Sequence, residues 1–311
     1  MAQLLSNLPV GAKVKSPNTK YNDAPIIWLI GHKTANRVKL ITEKIITLKC
    51  FDAKEPSNPN SDRKQYGNNR YSVSNIDQWL NSAAGAGAWY SARHTYDAPP
   101  NNANVSYNEY DAEAGFLSNF EESFRNAILD TTIRVVDGGG YEDITRKVYL
   151  LSNTEVGLSN ENGVAEGSKW DLFSNDNSRK AYPTAEAVSK SEYTNRELNT
   201  SSPWYWRLRT PYYGSSSYVR RVDTGGTLGN GLAYYGTDGV RPALELDSGI
   251  LVSDTTDADG CYTILWWAPP NMTFDINNVK KAYDNGWCKV NGTLRQIDKV
   301  WTKINGVLRE V

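Results

Sequence analysis

Pro203 to Pro242 reads PWYWRLRTPYYGSSSYVRRVDTGGTLGNGLAYYGTDGVRP, and the character of the whole chain turns on these forty residues. They hold six Tyr, seven Gly, five Arg and the run Ser215-Ser216-Ser217, with no Lys, Glu, Gln, Met, Ile or Phe. Tyr set among Ser, Gly and Asn is the residue mixture of combining sites. Tyr gives a large amphipathic contact area at low entropic cost, and the small residues let the backbone adapt. Arg without Lys points the same way, because a guanidinium stacks and forks where an ammonium cannot. The plainer alternative is a Gly- and Tyr-rich set of strands and turns in an ordinary β-domain.

Around that stretch, 311 residues allow one large domain or two smaller ones. With 34 basic and 35 acidic residues, nothing points to nucleic acid or to an anionic membrane. No apolar run approaches a membrane span, and the start MAQLLSNLPVGAKV lacks the basic and apolar regions of a signal peptide. Cys50, Cys261 and Cys288 are too few and too far apart for a disulfide framework or a zinc site, and read as small buried hydrophobes. Ten Trp and nineteen Tyr against two Met and six Phe favour aromatics with polar handles, which concentrate at interfaces and in loop-rich cores.

Taken in order, residues 4–50 read as short strands and connections, with Ile26 to Ile30 and Leu40 to Leu48 as the apolar runs. Asp52 to Arg70 is a Pro/Asn/Asp/Ser-rich loop. Ser74 before Ile76, Trp79 and Leu80 predicts an N-capped short helix. A second helix over Glu121 to Leu129, capped by Ser118 or Asn119, follows Gly115-Phe116-Leu117. Thr131 to Val136 and Lys147 to Ser152 read as strands about the Gly138-Gly139-Gly140 turn. The polar connection 157–202 is long enough to be functional or to carry inserted elements. Gly249 to Val252 and Cys261 to Trp267 look like closing strands, and Ala268-Pro269-Pro270-Asn271 like a linker. Beyond it, Trp287 to Arg295 is echoed by Trp301 to Arg309. Each copy carries an Asn-Gly dipeptide between alternating apolar residues, a hairpin signal. Hairpins this small need a neighbour, either residues 1–266 or the same element of a second chain.

Few residues offer chemistry. His32 and His94 have no ligand-spaced companion. Asp254, Asp257 and Asp259 could coordinate calcium, but the later bidentate Glu of an EF-hand is missing, so a solvated acidic turn is expected. Gly138 to Gly140 lacks the Lys-Ser/Thr of a phosphate loop, and no nucleophile-elbow motif occurs. Cys50 lies between Leu48 and Phe51 with only Lys49 nearby, which favours an inert thiol.

Several motifs occur in one order: Gly67-Asn68-Asn69-Arg70-Tyr71, Ile76-Asp77-Gln78-Trp79-Leu80-Asn81, Gly115-Phe116-Leu117, and Val148 to Ser152 with Glu155. Trp206-Arg207-Leu208-Arg209-Thr210-Pro211 and Gly239-Val240-Arg241-Pro242-Ala243-Leu244 complete the series. Over residues 4–266 this resembles a domain of phage, prophage and gut-bacterial proteins with a Trp-x-Leu-Arg-Ser-Pro … Gly-Val-Arg-Pro-Ala-Leu signature. That domain is similar to C-type-lectin folds of the formylglycine-generating-enzyme-like branch. Several members are variable proteins of diversity-generating retroelements, which mutagenise adenines to diversify a ligand-binding surface. Randomised adenines in an Asn codon never yield Lys, Glu, Gln, Met or Trp, and all five are absent between Trp206 and Arg241. The active cysteines of the oxidase-like relatives have no counterpart here. Neither have the Glu-Pro-Asn calcium ligands of the lectins, since Glu55-Pro56-Ser57 departs from that motif.

The expectation is therefore an α+β, C-type-lectin-like domain over 1–267, with short antiparallel strands, two short helices and long loops. A linker and a small β-repeat would follow over 268–311. The expected function is non-enzymatic binding of a cell-surface protein or glycan. No cofactor or metal, no nucleic acid and no membrane insertion are expected. Delivery would be on a phage tail or virion, or on an extracellular surface, with 271–311 available for self-association. Trp204, Trp206, Leu208, Pro211, Val240, Arg241, Pro242 and Leu244 would be scaffold. Tyr205, Arg207, Tyr212, Tyr213, Ser215, Ser217, Tyr218, Arg220, Arg221, Asn230, Tyr234 and Tyr235 would meet the ligand. The alternatives are a cysteine enzyme of the same fold and a structural virion decoration protein.

Overall fold

Alternating or continuous apolar residues bounded by turn formers give short strands throughout the chain. The computed structural model describes residues 2–266 and the backbone of four strands between 287 and 310. The first strands are β1 (Ala2–Leu4), β2 (Lys13–Lys15), β3 (Lys20–Tyr21), β4 (Ala24–Pro25), β5 (Trp28–Lys33), β6 (Arg37–Thr42) and β7 (Thr47–Leu48). Helices α1 (Ser61–Tyr66), α2 (Asn75–Leu80) and α3 (Glu122–Ala127) come next, then β8 (Thr131–Asp137), β9 (Gly140–Arg146) and β10 (Val148–Tyr149). The long connection carries α4 (Asp176–Arg179) and α5 (Ala185–Ser189). The remaining strands of residues 2–266 are β11 (Trp206–Pro211), β12 (Tyr218–Val222), β13 (Leu228–Leu232), β14 (Gly239–Val240), β15 (Ala243–Asp247), β16 (Leu251–Ser253) and β17 (Cys261–Trp266). The chain is α+β, mostly strand with a few short helices.

One sheet has eight strands in the order β1-β16-β17-β2-β5-β6-β15-β10. Its pairs are antiparallel except β17 with β2, where Cys261 lies opposite Lys13. The sheet thus ties the start of the chain to residues 251–266. A second sheet, β13-β12-β11-β14-β7, carries most of the Pro203 to Pro242 stretch. One continuous core of buried apolar side chains runs from Leu5 to Val252, with Trp28, Trp79, Trp170 and Trp206 fully enclosed.

The two sheets meet at the Gly-Val-Arg-Pro-Ala-Leu motif. Val240 pairs with Thr47 in one sheet and Ala243 with Ile41 in the other, so Arg241-Pro242 is the corner. Pro242 has no N–H to lose there, and its carbonyl accepts from the Thr42 N–H at 3.0 Å. Arg241 is buried: its Nε donates to the Thr42 carbonyl at 2.7 Å, and its guanidinium lies 5.1 Å from the centre of the Trp206 ring. Burial lowers its affinity for the proton to a pKa of about 10, so it is still charged at neutral pH.

The helix reading needs two corrections. Ser74 caps α2, accepting from the Asp77 N–H, and every residue of that helix is buried. Ser118 and Asn119, by contrast, cap nothing. They lie in a 3-10 turn, Phe116–Asn119, and donate back to the carbonyls of Gly115 and Phe116. Glu121 stands at the start of α3 without a side-chain cap, because its carboxylate is taken by Ser16 and Asn18. The helices also exceed two. The Asx cap Asn60, which accepts from the N–H groups of Asp62 and Arg63, starts α1 inside what reads as a loop, and α4 and α5 lie in the long connection.

In the C-terminal repeat, Trp287–Val290 pairs antiparallel with Thr293–Gln296, and Trp301–Ile304 with Val307–Glu310. These are the two expected hairpins. The 268–271 linker, the Asn-Gly turns and the docking of Trp287 and Trp301 lie outside the described residues.

Candidate ligand-binding surface

The site rests on the ribbon β11-β12-β13. Arg207 stands opposite Arg221, and Arg221 opposite Gly229, while Tyr218 stands opposite Leu232. The loop after β11, the start of β12 and the segment after β13 therefore emerge at one end of the ribbon. The Ala233 N–H donates to the Ser217 carbonyl at 2.8 Å and ties the two exits together. Asn69 pins the first exit, its side-chain amide donating to the carbonyls of Ser215 at 2.7 Å and Tyr218 at 3.1 Å. That amide is what the Gly-Asn-Asn-Arg-Tyr motif supplies.

Two aromatic groups sit at this end. Tyr212 and Tyr218 pack edge to face at 6.3 Å, with the Arg220 guanidinium 4.5 Å over Tyr212. Glu161 holds Arg220 in place at 2.7 Å and also accepts from the Tyr213 N–H. Tyr213 projects beyond them and, at 65 %, is the most exposed large hydrophobic side chain among the described residues. In the second group, Tyr234 lies 4.6 Å from Tyr235 and 5.9 Å from Tyr66, with Lys54 4.8 Å from the Tyr234 ring. Partial burial and the hydrogen bond with Tyr235 push the Tyr234 hydroxyl up to about 12, so it keeps its proton at neutral pH. Ser215 is half-buried and shapes the turn, its hydroxyl accepting from the N–H groups of Ser217 and Tyr218.

Elsewhere, Tyr205 forms a separate stack: its ring meets Trp204 at 5.1 Å, and Arg221 lies 4.0 Å above it. The row continues through Tyr193 to Tyr107, which is exposed. Asn230 is half-buried in mid-strand opposite Arg220.

Two residues expected on the surface are not there. Arg207 is fully buried, donating to the carbonyls of Gly231, Leu232 and Tyr235 and pairing with buried Asp238 at 3.1 Å. Ser217 is buried because its backbone joins the two exits. Arg207 and Arg221 share Asp238, and Gly231 leaves the room. A Cβ on Gly231 would lie 2.9 Å from the Asp238 carboxylate and 3.1 Å from Arg207. Much of the Gly and Arg content of the stretch is thus explained by packing. The eight residues read as scaffold, Trp204, Trp206, Leu208, Pro211, Val240, Arg241, Pro242 and Leu244, are all buried.

Glu161, Lys54, Tyr66, Tyr107 and Tyr193 join the aromatic surface without having been expected there. Their only sequence signal is the high Tyr count of the whole chain, since each lies in a polar connection or a short helix.

Other chemistry is sparse. Among the described residues no group of three His, Cys, Asp or Glu side chains is disposed to hold a metal ion. The Lys15 ammonium already pairs with Asp257 and Asp259, at 2.7 Å each. The Cys50 thiol is pushed up to about 12 by burial and by the neighbouring Asp52 carboxylate, and it donates to the Tyr110 hydroxyl. A thiol in that state is a poor nucleophile. Iodoacetamide is expected to modify Cys50 only as fast as the native protein opens. Rapid native labelling mapped to Cys50 by mass spectrometry would restore the cysteine-enzyme alternative.

The family described as "Domain of unknown function (DUF6273)" matches residues 36–248, more than half of the chain, and the chain belongs to that family. The eight-stranded sheet extends past both ends of the match, through β1, β2 and β5 on one side and β16 and β17 on the other. No curated protein and no solved structure matches the chain.

Proposed function

We propose that this member of the DUF6273 family is a non-enzymatic ligand-binding protein whose combining surface is the tyrosine-rich end of the β11-β12-β13 ribbon. The observation that carries the reading is a contrast within one stretch. Tyr212, Tyr213, Tyr218 and Tyr235 are exposed at one end, while Arg207, Arg209, Arg241 and Trp206 of the same stretch are fully enclosed. Exposed aromatics on a rigid support forgo burial that a purely structural role would use, and they mark an interaction site. Tyr anchors and a stacked Arg suit a cell-surface protein or glycan, through aromatic packing and forked hydrogen bonds without bond breaking.

The C-type-lectin-like identity, the diversification of the stretch and display on a phage tail or related particle belong to the same proposal. Their support is the order of motifs and the five residue types missing between Trp206 and Arg241. Burial sharpens what diversification would do: only exposed and half-exposed codons can vary without loss of the fold. The test is the DNA around the gene, where a near-identical repeat of the segment encoding 203–242 is expected beside a reverse-transcriptase gene. Its differences should be at adenines in codons such as those of Tyr212, Tyr213, Ser215, Tyr218, Asn230 and Tyr235. Differences gathered on the codons of Arg207, Arg209 or Gly231 would contradict the division between surface and support.

A further inference from the structure

A cleft of about 360 Å³ that shares no lining residue with the tyrosine surface lies between the β8-β9 hairpin and the eight-stranded sheet. Lys39 of β6, Tyr149 of β10 and Glu245 of β15 line one side, Thr131 to Arg134 another, and Glu155, Gly167, Ser168 and Arg209 the rest. Its volume is at the lower end for ligand sites, suited to one small molecule.

Most charges in the cleft are used within the protein. Glu245 is buried and takes Lys39 at 3.1 Å, Arg37 at 3.1 Å and the Tyr149 hydroxyl at 3.2 Å. Arg209 donates to the carbonyls of Arg134, Leu150 and Glu166 and to Glu155 Oε2. Arg134 and Asp143 are paired with each other.

Two groups keep unused capacity. Glu155 is 3 % exposed, and its Oε2 accepts from the Ser152 N–H and from Arg209. Its Oε1 makes no hydrogen bond to a described residue, and it lies close to Gly167, itself part of the lining: a Cβ on Gly167 would lie 2.8 Å from that oxygen. Lys39 spends one ion pair on Glu245, which leaves ammonium protons for another acceptor. A nearly buried carboxylate oxygen short of a donor favours a ligand that brings one, more so if the donor is charged.

From this we infer that the cleft binds a small zwitterion, a free α-amino acid. The ligand's ammonium group donates to Glu155 Oε1 and its carboxylate accepts from Lys39 Nζ. The charges lining the cleft sum to zero, Lys39, Arg134 and Arg209 against Asp143, Glu155 and Glu245, so a ligand of no net charge enters without leaving an excess. Thr132 and Ser168 also line the cleft, and residues of this type suit a small polar side chain. This site is independent of the tyrosine surface and of the function proposed for it.

The test is calorimetric titration of the full chain with individual amino acids, beginning with serine, beside N-acetylserine, serinamide and glucose. Saturable binding of at least one free amino acid is expected, with loss of at least about tenfold in affinity when either charged end is blocked. Glu155→Gln is expected to weaken binding by about tenfold or more. Because that change touches Arg209 and the fold, Lys39→Gln, at a half-buried position where Arg37 still pairs with Glu245, serves as the second variant and should weaken binding comparably while the protein stays folded. No saturable binding of any proteinogenic amino acid at about 10 mM would overturn the assignment. So would equal binding of N-acetylserine, preferential binding of glucose, or undiminished binding by a folded Lys39→Gln.

Discussion

Replacing Arg209 with Ala is expected to destabilise the protein by about 3–5 kcal/mol, the loss typical when one partner of a buried ion pair is removed. Arg209 is fully enclosed in the middle of β11, and its guanidinium bridges three separate segments. It reaches the Arg134 carbonyl in β8 at 3.1 Å, the Leu150 carbonyl after β10 at 2.9 Å and the Glu166 carbonyl in the long connection at 2.9 Å, besides its pair with Glu155. Removal leaves Glu155 and Glu166 buried with no opposing charge at hand. Burial already raises the proton affinity of Glu166, and Arg209 is the main group working against that. The sign for pH follows. An acid whose folded pKa lies above its unfolded value holds its proton more firmly in the native state. Its contribution to stability is therefore greatest at low pH and falls as pH rises through the folded pKa. Without Arg209 the folded pKa of Glu166 should climb further, so the variant should lose more stability at neutral pH than in mild acid. Urea melts at both pH values check this. A loss below about 1 kcal/mol, an ordinary value for a point substitution, would show that the guanidinium is not central.

The second large effect separates support from surface within the same forty residues. Trp206→Ala is expected to cost about 3–5 kcal/mol as a core truncation. The ring is fully buried, stacks at 6.4 Å on Phe173, carries Arg241 on its face, and donates from Nε1 to the Arg179 carbonyl at 2.9 Å. Tyr213→Ala and Tyr235→Ala should each shift stability by no more than about 0.5 kcal/mol, as exposed positions generally do. These same two changes should remove ligand binding, because exposed aromatic anchors carry most of the energy of such contacts. Tyrosine variants that unfold as readily as Trp206→Ala would erase the distinction.

How much of this was legible in the residues differs from element to element. A strand with alternating sequence, such as Thr131 to Val136, could be read locally because its burial pattern largely repeats every two residues. The Ser74 cap was equally local. Ser118 and Asn119 misled because Ser and Asn also bond back to nearby carbonyls, and only the surroundings decide between that and a cap. The buried fate of Arg207 was hidden for another reason. By residue type it equals Arg220 two strands' length away, and what separates them is strand register. Register sets Arg207 against Arg221 with Asp238 and Gly231 beside it, and Arg220 against Asn230 with Glu161 as its partner. Glu161 and Asp238 lie too far along the chain for any spacing rule to connect them. The same holds for the cleft, which is drawn from β6, β8, β10, β11 and β15 together. The motif residue Glu155 stood out in the sequence, but its free oxygen is a property of the folded chain alone.

Binding of the purified full chain to bacterial envelope fractions, the target that the proposed phage-type display implies, tests the central claim most directly. The wild type would be measured beside Tyr213→Ala with Tyr235→Ala in one chain. Saturable binding by the wild type is predicted, lost by at least about a hundredfold in the double variant, as two anchors of about 1.4 kcal/mol or more each would require. The double variant should melt at the same temperature as the wild type. A double variant that melts normally and binds as tightly as the wild type would contradict the claim that these tyrosines form the combining surface.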